Sequence, residues 1–161
     1  MKNIVKIFSF AAALAVAFSC SDLNDYPAFE DSKSFAAFDV TSVSVDENAG
    51  TVSIPVTIAS VDPKQVALAY NTADGTAKKD VNFKLADESA VLAFDGKTRS
   101  MEIVINIVDL AGEYTGDLNF TVSLVKPGNL DLGANSTCTV KINDLDHPLA
   151  AILGQYKVTG T

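Results

Sequence analysis

Nucleophilic catalysis needs a nucleophile, a base beside it and a group that orients the base, and this chain has few parts for such a set. It contains one histidine and two cysteines. His147 precedes Pro148 and reads as a linker residue, whereas Cys138 shares the phase of Val140 and Ile142 and reads as a small buried residue. Paired carboxylates of a hydrolase are conceivable among the acids, but no spacing singles out a pair. Zinc-ligand spacing, a P-loop and a dinucleotide fingerprint are all missing from the sequence. There is no Trp, and Tyr70 falls on an inward phase, so only Tyr114 sits in a loop near acids, too little for a sugar-stacking platform. The expectation is a protein without catalytic activity.

What the chain does offer is carboxylate. It has 20 Asp and Glu against 12 Lys and Arg in 161 residues. Such a balance opposes nucleic acid and anionic lipid headgroups as partners, since both call for clustered cations. It leaves acids available for divalent cations.

Lys2 and Lys6 flank the start of an apolar run from Ile7 to Phe18, followed closely by Cys20. The run is shorter than the roughly 20 apolar residues that span a bilayer and has the form of a signal peptide. Ala17-Phe18-Ser19-Cys20 resembles a bacterial lipobox, which implies a signal over residues 1–19 and an acylated Cys20 as the first mature residue. Ordinary cleavage after Ala15-Val16-Ala17 is the competing reading and would leave Cys20 a free thiol. The acidic stretch Ser21-Asp22-Leu23-Asn24-Asp25 resembles the export signal of surface lipoproteins in Bacteroidetes-type bacteria, although any tether could contain it. The expected location is the outer membrane, anchored in its lipid through Cys20 and facing the cell surface, with the periplasmic face as the alternative. Lys2 and Lys6 leave with the signal, so ten bases then face twenty acids. With Cys20 acylated, Cys138 has no partner for an internal disulfide.

The elements that would position any site are strands. Residues 20–34 carry Pro27 and several charges without a period and read as a tether. From residue 35 apolar residues alternate in seven runs: Val43 and Val45; Val52 to Ile58; Val66 to Tyr70; Leu92 and Phe94; Met101 to Ile107; Leu118 to Leu124; and Cys138 to Ile142. Ser53, Thr57, Glu102, Asn106, Asn119, Thr121, Ser123 and Lys141 take the opposite phase, so each sheet should have one wet face. Ala49-Gly50, Asp62-Pro63, Asp74-Gly75, Asp95-Gly96 and Pro127-Gly128 supply turns. Pro55, on an outward phase, predicts an edge or a bulge at that point. The fold expected is all-β, an immunoglobulin-like Greek-key sandwich of about seven strands over residues 35–147. Residues 148–161 read as one further strand, either opening an incomplete second β-domain or packing back on the sandwich.

Tyr70-Asn71-Thr72-Ala73-Asp74-Gly75-Thr76-Ala77, with Asp80 three residues on, is the most distinctive segment. With Val45-Asp46-Glu47-Asn48-Ala49-Gly50-Thr51, Phe94-Asp95-Gly96, Asp117 to Leu124 and Val140-Lys141-Ile142-Asn143-Asp144, it resembles a Calx-beta domain over about residues 36–147. The resemblance implies an extracytoplasmic sandwich that binds or spaces, with a calcium site in some members. Matched onto this sequence, the family's ligands fall on Glu47, Asp80, Asp109, Asp144 and Asp146, with Glu113 as a more distant candidate. Calcium-binding members carry triple-Asp runs where this chain has Val108-Asp109-Leu110-Ala111 and Asn143-Asp144-Leu145-Asp146, and Lys78-Lys79 stand beside Asp80. The acids are therefore either solvated loop residues or a single weak calcium site. The expected function is a lipid-anchored surface module that binds or spaces, its protein or glycan partner unnamed. The alternative is an accessory domain of a larger adhesion or glycan-processing protein, and a hydrolase comes last.

Overall fold

The computed structural model describes residues 33–146 and Pro148. The signal segment 1–19, Cys20, most of the tether, His147 and the tail 149–161 lie outside the described residues. Ten strands form: β1 (Phe35–Phe38), β2 (Ser42–Asp46), β3 (Thr51–Ala59), β4 (Gln65–Asp74), β5 (Phe83–Leu85), β6 (Val91–Asp95), β7 (Ser100–Ile107), β8 (Leu118–Leu124), β9 (Asp131–Leu132) and β10 (Thr137–Asn143). They make two five-stranded sheets, ordered β5-β7-β3-β1-β9 and β2-β10-β8-β4-β6. The protein is the all-β sandwich that the alternation predicts.

The three strands beyond the expected seven are β1, β5 and β9, of four, three and two residues. A period of two cannot declare itself over so few positions. β1 and β2 carry the chain from one sheet to the other, with β1 antiparallel to β3 and β2 parallel to β10. Alternation maps directly onto burial. In β8, Phe120 and Val122 are buried while Asn119 is exposed; in β7, Ile103, Ile105 and Ile107 are buried between exposed Glu102, Val104 and Asn106. The core closes on Phe83 and Phe120, whose rings stack with centroids 3.8 Å apart. Cys138 and Tyr70 are buried as their phases require, and burial pushes both pKa values up.

Pro55 lies in β3, an interior strand, and stands opposite Glu102 of β7. It is nevertheless locally at an edge. β1 pairs with β3 only as far as Val56, and beyond it the Asp39 amide donates to the Pro55 carbonyl at 3.1 Å, so no ladder bond calls for the N–H that proline lacks.

At one end of the sandwich the β2–β3 turn, the crossing from β4 to β5, the β7–β8 loop and the exit of β10 come together. Four separate stretches of chain therefore meet where the acids lie.

Candidate cation site at the sandwich tip

The Asp74-Gly75-Thr76-Ala77 segment is a crossing between sheets, not a hairpin. β4 ends at Asp74, and the chain then passes over the start of β8. The Asn119 amide donates to Thr76 Oγ1 at 2.8 Å, and the Ala77 amide donates to the Asn119 carbonyl at 2.9 Å. Ala77 is fully buried, and Asp74 Oδ1 accepts the Lys79 amide at 3.0 Å. These bonds deliver residues 78–82 to the tip as a tight turn, in which the amides of Val81 and Asn82 donate to the Lys78 carbonyl and Asn82 Oδ1 accepts the Lys78 amide. The Asn82 carbonyl in turn accepts the Val108 amide at 2.9 Å, so the start of the β7–β8 loop is held by this crossing.

Of the five acids expected as ligands, the structure brings three together. Glu47, Asp109 and Asp146 each offer a carboxylate oxygen, and these oxygens all lie within 4.8 Å of one another. Glu47 enters from a single 3₁₀ turn, Glu47–Ala49, that follows β2 and ends at Gly50, where φ is +77°. Its side chain is only 5% exposed, and Oε1 accepts the Leu145 amide at 2.6 Å. Asp146 is half-buried, and its Oδ2 accepts the Gly112 amide at 2.5 Å. Asp109 is exposed.

Asp144 and Asp80 are not in that trio. Asp144 is occupied by loop donors: Oδ2 accepts the amides of Thr115 at 2.6 Å and Gly116 at 2.5 Å and the Thr115 hydroxyl at 3.3 Å, while Oδ1 accepts the Asp146 amide at 2.7 Å. Burial raises its pKa, but these donors outweigh that and hold the carboxyl below its ordinary value. Asp144 thus clasps the β7–β8 loop and shapes the site from behind. Asp80 occupies an exposed turn position with φ of +65°, a conformation that Asp tolerates better than most residues, and its amide donates to the Phe83 carbonyl. Its neighbours do not crowd it electrostatically as their spacing suggests, since Lys78 Nζ bonds the Gly75 carbonyl and Lys79 Nζ lies 3.8 Å from Glu88. Glu113 is exposed in the same loop as Asp109 and lies outside the trio.

Asn82 is a participant that sequence reasoning passes over. It is buried, and with Glu47, Thr115, Gly116 and Asp144 it lines a cavity of about 10 Å³, room for roughly one water centre. Only the turn it closes marks it, and Lys78-Lys79-Asp80-Val81-Asn82 carries no recognisable signature of that turn.

A Calx-beta domain family model matches residues 30–146, which span this sandwich and all three acids of the trio. The chain belongs to the Calx-beta domain family. Among solved structures, the apo-form Calx CBD1 domain superposes with a TM-score of 0.62 at 22% identity, covering 69% of this chain and 96% of that one. The Calx CBD2 domain gives 0.62 at 16% identity, covering 76% and 95%. The calcium binding domain CBD12 of CALX1.1 gives 0.61 at 26% identity, covering 70% of this chain and 45% of that one, so this Calx-beta domain spans less than half of that structure. Comparison with curated protein sequences gives no match.

The donor chemistry of the tip fits a hard cation. A nearly buried carboxylate and two neighbours within 4.8 Å repel one another unless a positive charge stands between them. The ion pairs Lys79–Glu88, Lys126–Asp131 and Lys141–Asp117 do not involve the trio. Three carboxylates supply at most six oxygens, the lower end of what calcium takes, and two of them already accept backbone amides. No helix among the described residues is long and apolar enough to cross a membrane.

Proposed function

We propose that this Calx-beta domain is a non-catalytic binding or spacer module that holds one calcium ion weakly at its tip and is displayed at the bacterial surface through acylated Cys20. The convergence of Glu47, Asp109 and Asp146 carries the cation reading. The absence of triple-Asp runs and the prior engagement of Glu47 and Asp146 by amides favour weak binding, with a dissociation constant no tighter than about 10⁻⁴ M. At that affinity a cation in the extracellular range would rigidify the join between the β7–β8 loop and the exit of β10, the function a spacer requires.

The surface location rests on the apolar run that ends near Cys20 and on the acids that follow. The non-catalytic reading is supported by the burial of Cys138, which keeps its thiol from solvent. A second reading, an accessory domain of a larger surface protein, is favoured by the alternation through Tyr156 and Val158. Thermal unfolding in millimolar calcium and in chelator tests the cation reading. The melting temperature rises with calcium and saturates if the tip binds it. Identical curves contradict the reading.

A further inference from the structure

The sheet margins are not equally protected. β5 is three residues long and carries Lys84, and β9 is two residues long. β6 is longer, but its Leu92 and Phe94 are fully enclosed. β2, as long as β6 and like it without Pro or Lys, differs in that Val43 and Val45 of Ser42-Val43-Ser44-Val45-Asp46 stay half-exposed although they pack on the core. Sandwiches usually blunt such a margin.

The Thr139 amide donates to the Thr41 carbonyl at 3.0 Å, which fixes the phase of the β2–β10 ladder. Residues 41, 43 and 45 therefore bond toward β10, and the backbone groups of Ser42, Ser44 and Asp46 turn to the side on which no other strand of the described residues pairs with β2. That edge is self-complementary about Ser44. Laid antiparallel against a second copy, Ser44 meets Ser44 as a hydrogen-bonded pair, Ser42 meets Asp46, and Val43 meets Val45 across the closer non-hydrogen-bonded spacing. The charges agree with this register. Asp46, already capped by Asn143 Nδ2 at 2.9 Å, faces a hydroxyl and not another acid, and the two acidic tips point to opposite ends. A parallel pairing would stack Asp46 on Asp46 and bring both tips together.

We infer that β2 is a homotypic docking edge through which two copies of this chain join their sheets, antiparallel and centred on Ser44. One pair of five-residue strands is a small contact beside the roughly 1,200 Å² at which standard stable interfaces begin, so the association is expected to be reversible and to show at protein concentrations of about 10⁻⁴ M. Confinement of the chain on a membrane would raise its effective concentration into that range.

The test uses the full chain with Cys20→Ser, so that neither acylation nor a Cys20 thiol contributes. Sedimentation over a hundredfold range of concentration is expected to show monomer passing to dimer. Ser44→Lys, which sets two ammonium groups face to face on the two-fold axis, weakens association by more than about tenfold. Ser44→Cys gives a disulfide-linked dimer under mild oxidation, because Cα atoms of a hydrogen-bonded antiparallel pair lie about 5.5 Å apart, within disulfide reach. Ser42→Cys does not, its copies being about 13 Å apart in this register. A chain that stays monomeric throughout, a dimer that Ser44→Lys leaves intact, or equal cross-linking at positions 42 and 44 overturns the inference. Should Ser44→Lys fail to fold, the two cysteine variants decide alone.

Discussion

Gly75 lies so close to Asn119 that a Cβ at position 75 would stand 2.5 Å from the Asn119 carbonyl oxygen and closer still to Oδ1. The glycine of the Asp-Gly segment is required by this approach of the crossing chain to the start of β8, and Asn119 in turn serves Thr76 and Ala77. Gly75→Ala is expected to cost about 1 to 3 kcal/mol in chemical denaturation, as overpacking against backbone does. A neutral result would show that the crossing can move aside.

Phe120 and Thr121 are neighbours on opposite faces of β8. Phe120 is fully buried and stacks on Phe83, so Phe120→Ala should lower stability by roughly 3 to 5 kcal/mol, and Ile105→Ala by roughly 2 to 5. Thr121→Ala, on the outer face, should cost less than about 1 kcal/mol. Equal losses at 120 and 121 would contradict the packing described.

Asp117 couples Lys141 to the tip. Its Oδ2 lies 2.6 Å from Lys141 Nζ, and its Oδ1 accepts the Asp144 amide at 3.3 Å. The bond to Lys141, and then that amide, depress its pKa below the ordinary carboxylate value. A carboxylate depressed in the folded state adds stability at pH values above its unfolded pKa of about 3.9, and that contribution is lost as pH falls through the folded value. Lys141→Met is therefore expected to raise the Asp117 pKa seen by carboxyl NMR and to reduce the drop in melting temperature between about pH 4 and pH 2. An unchanged pKa would show that the pair is not formed in solution.

Acylation is tested by feeding cells labelled palmitate. Incorporation that disappears in Cys20→Ala supports the anchor, and incorporation that survives the substitution removes it. Protease applied to intact cells should release the domain if it faces outward, whereas full protection would place it in the periplasm.

The long strands were legible because their alternation extends over enough residues to fix both type and phase, as in Met101 to Ile107. β5 was not, since Phe83 and Leu85 are two apolar residues that become a strand only by pairing with β7. The tip was legible in part. Glu47, Asp109 and Asp146 lie one, two and three residues past the ends of β2, β7 and β10, so their nearness to the tip was legible although their aim was not. Asp80 and Asp144 lie where turn geometry decides, and a turn can aim a carboxylate at solvent or at its own amides without changing residue type. Asn82 escaped notice for the same reason: it is buried in a turn whose carbonyl is met by the Val108 amide from another loop, a contact that local sequence does not announce.

Calcium titration by calorimetry, run on the chain and on single variants, tests the central claim most directly. The trio predicts binding with a dissociation constant no tighter than about 10⁻⁴ M that is lost in Asp109→Asn and in Asp146→Asn and unaffected by Asp80→Asn. A flat titration of the unaltered chain, or binding that Asp80→Asn abolishes while Asp109→Asn spares it, would contradict the account.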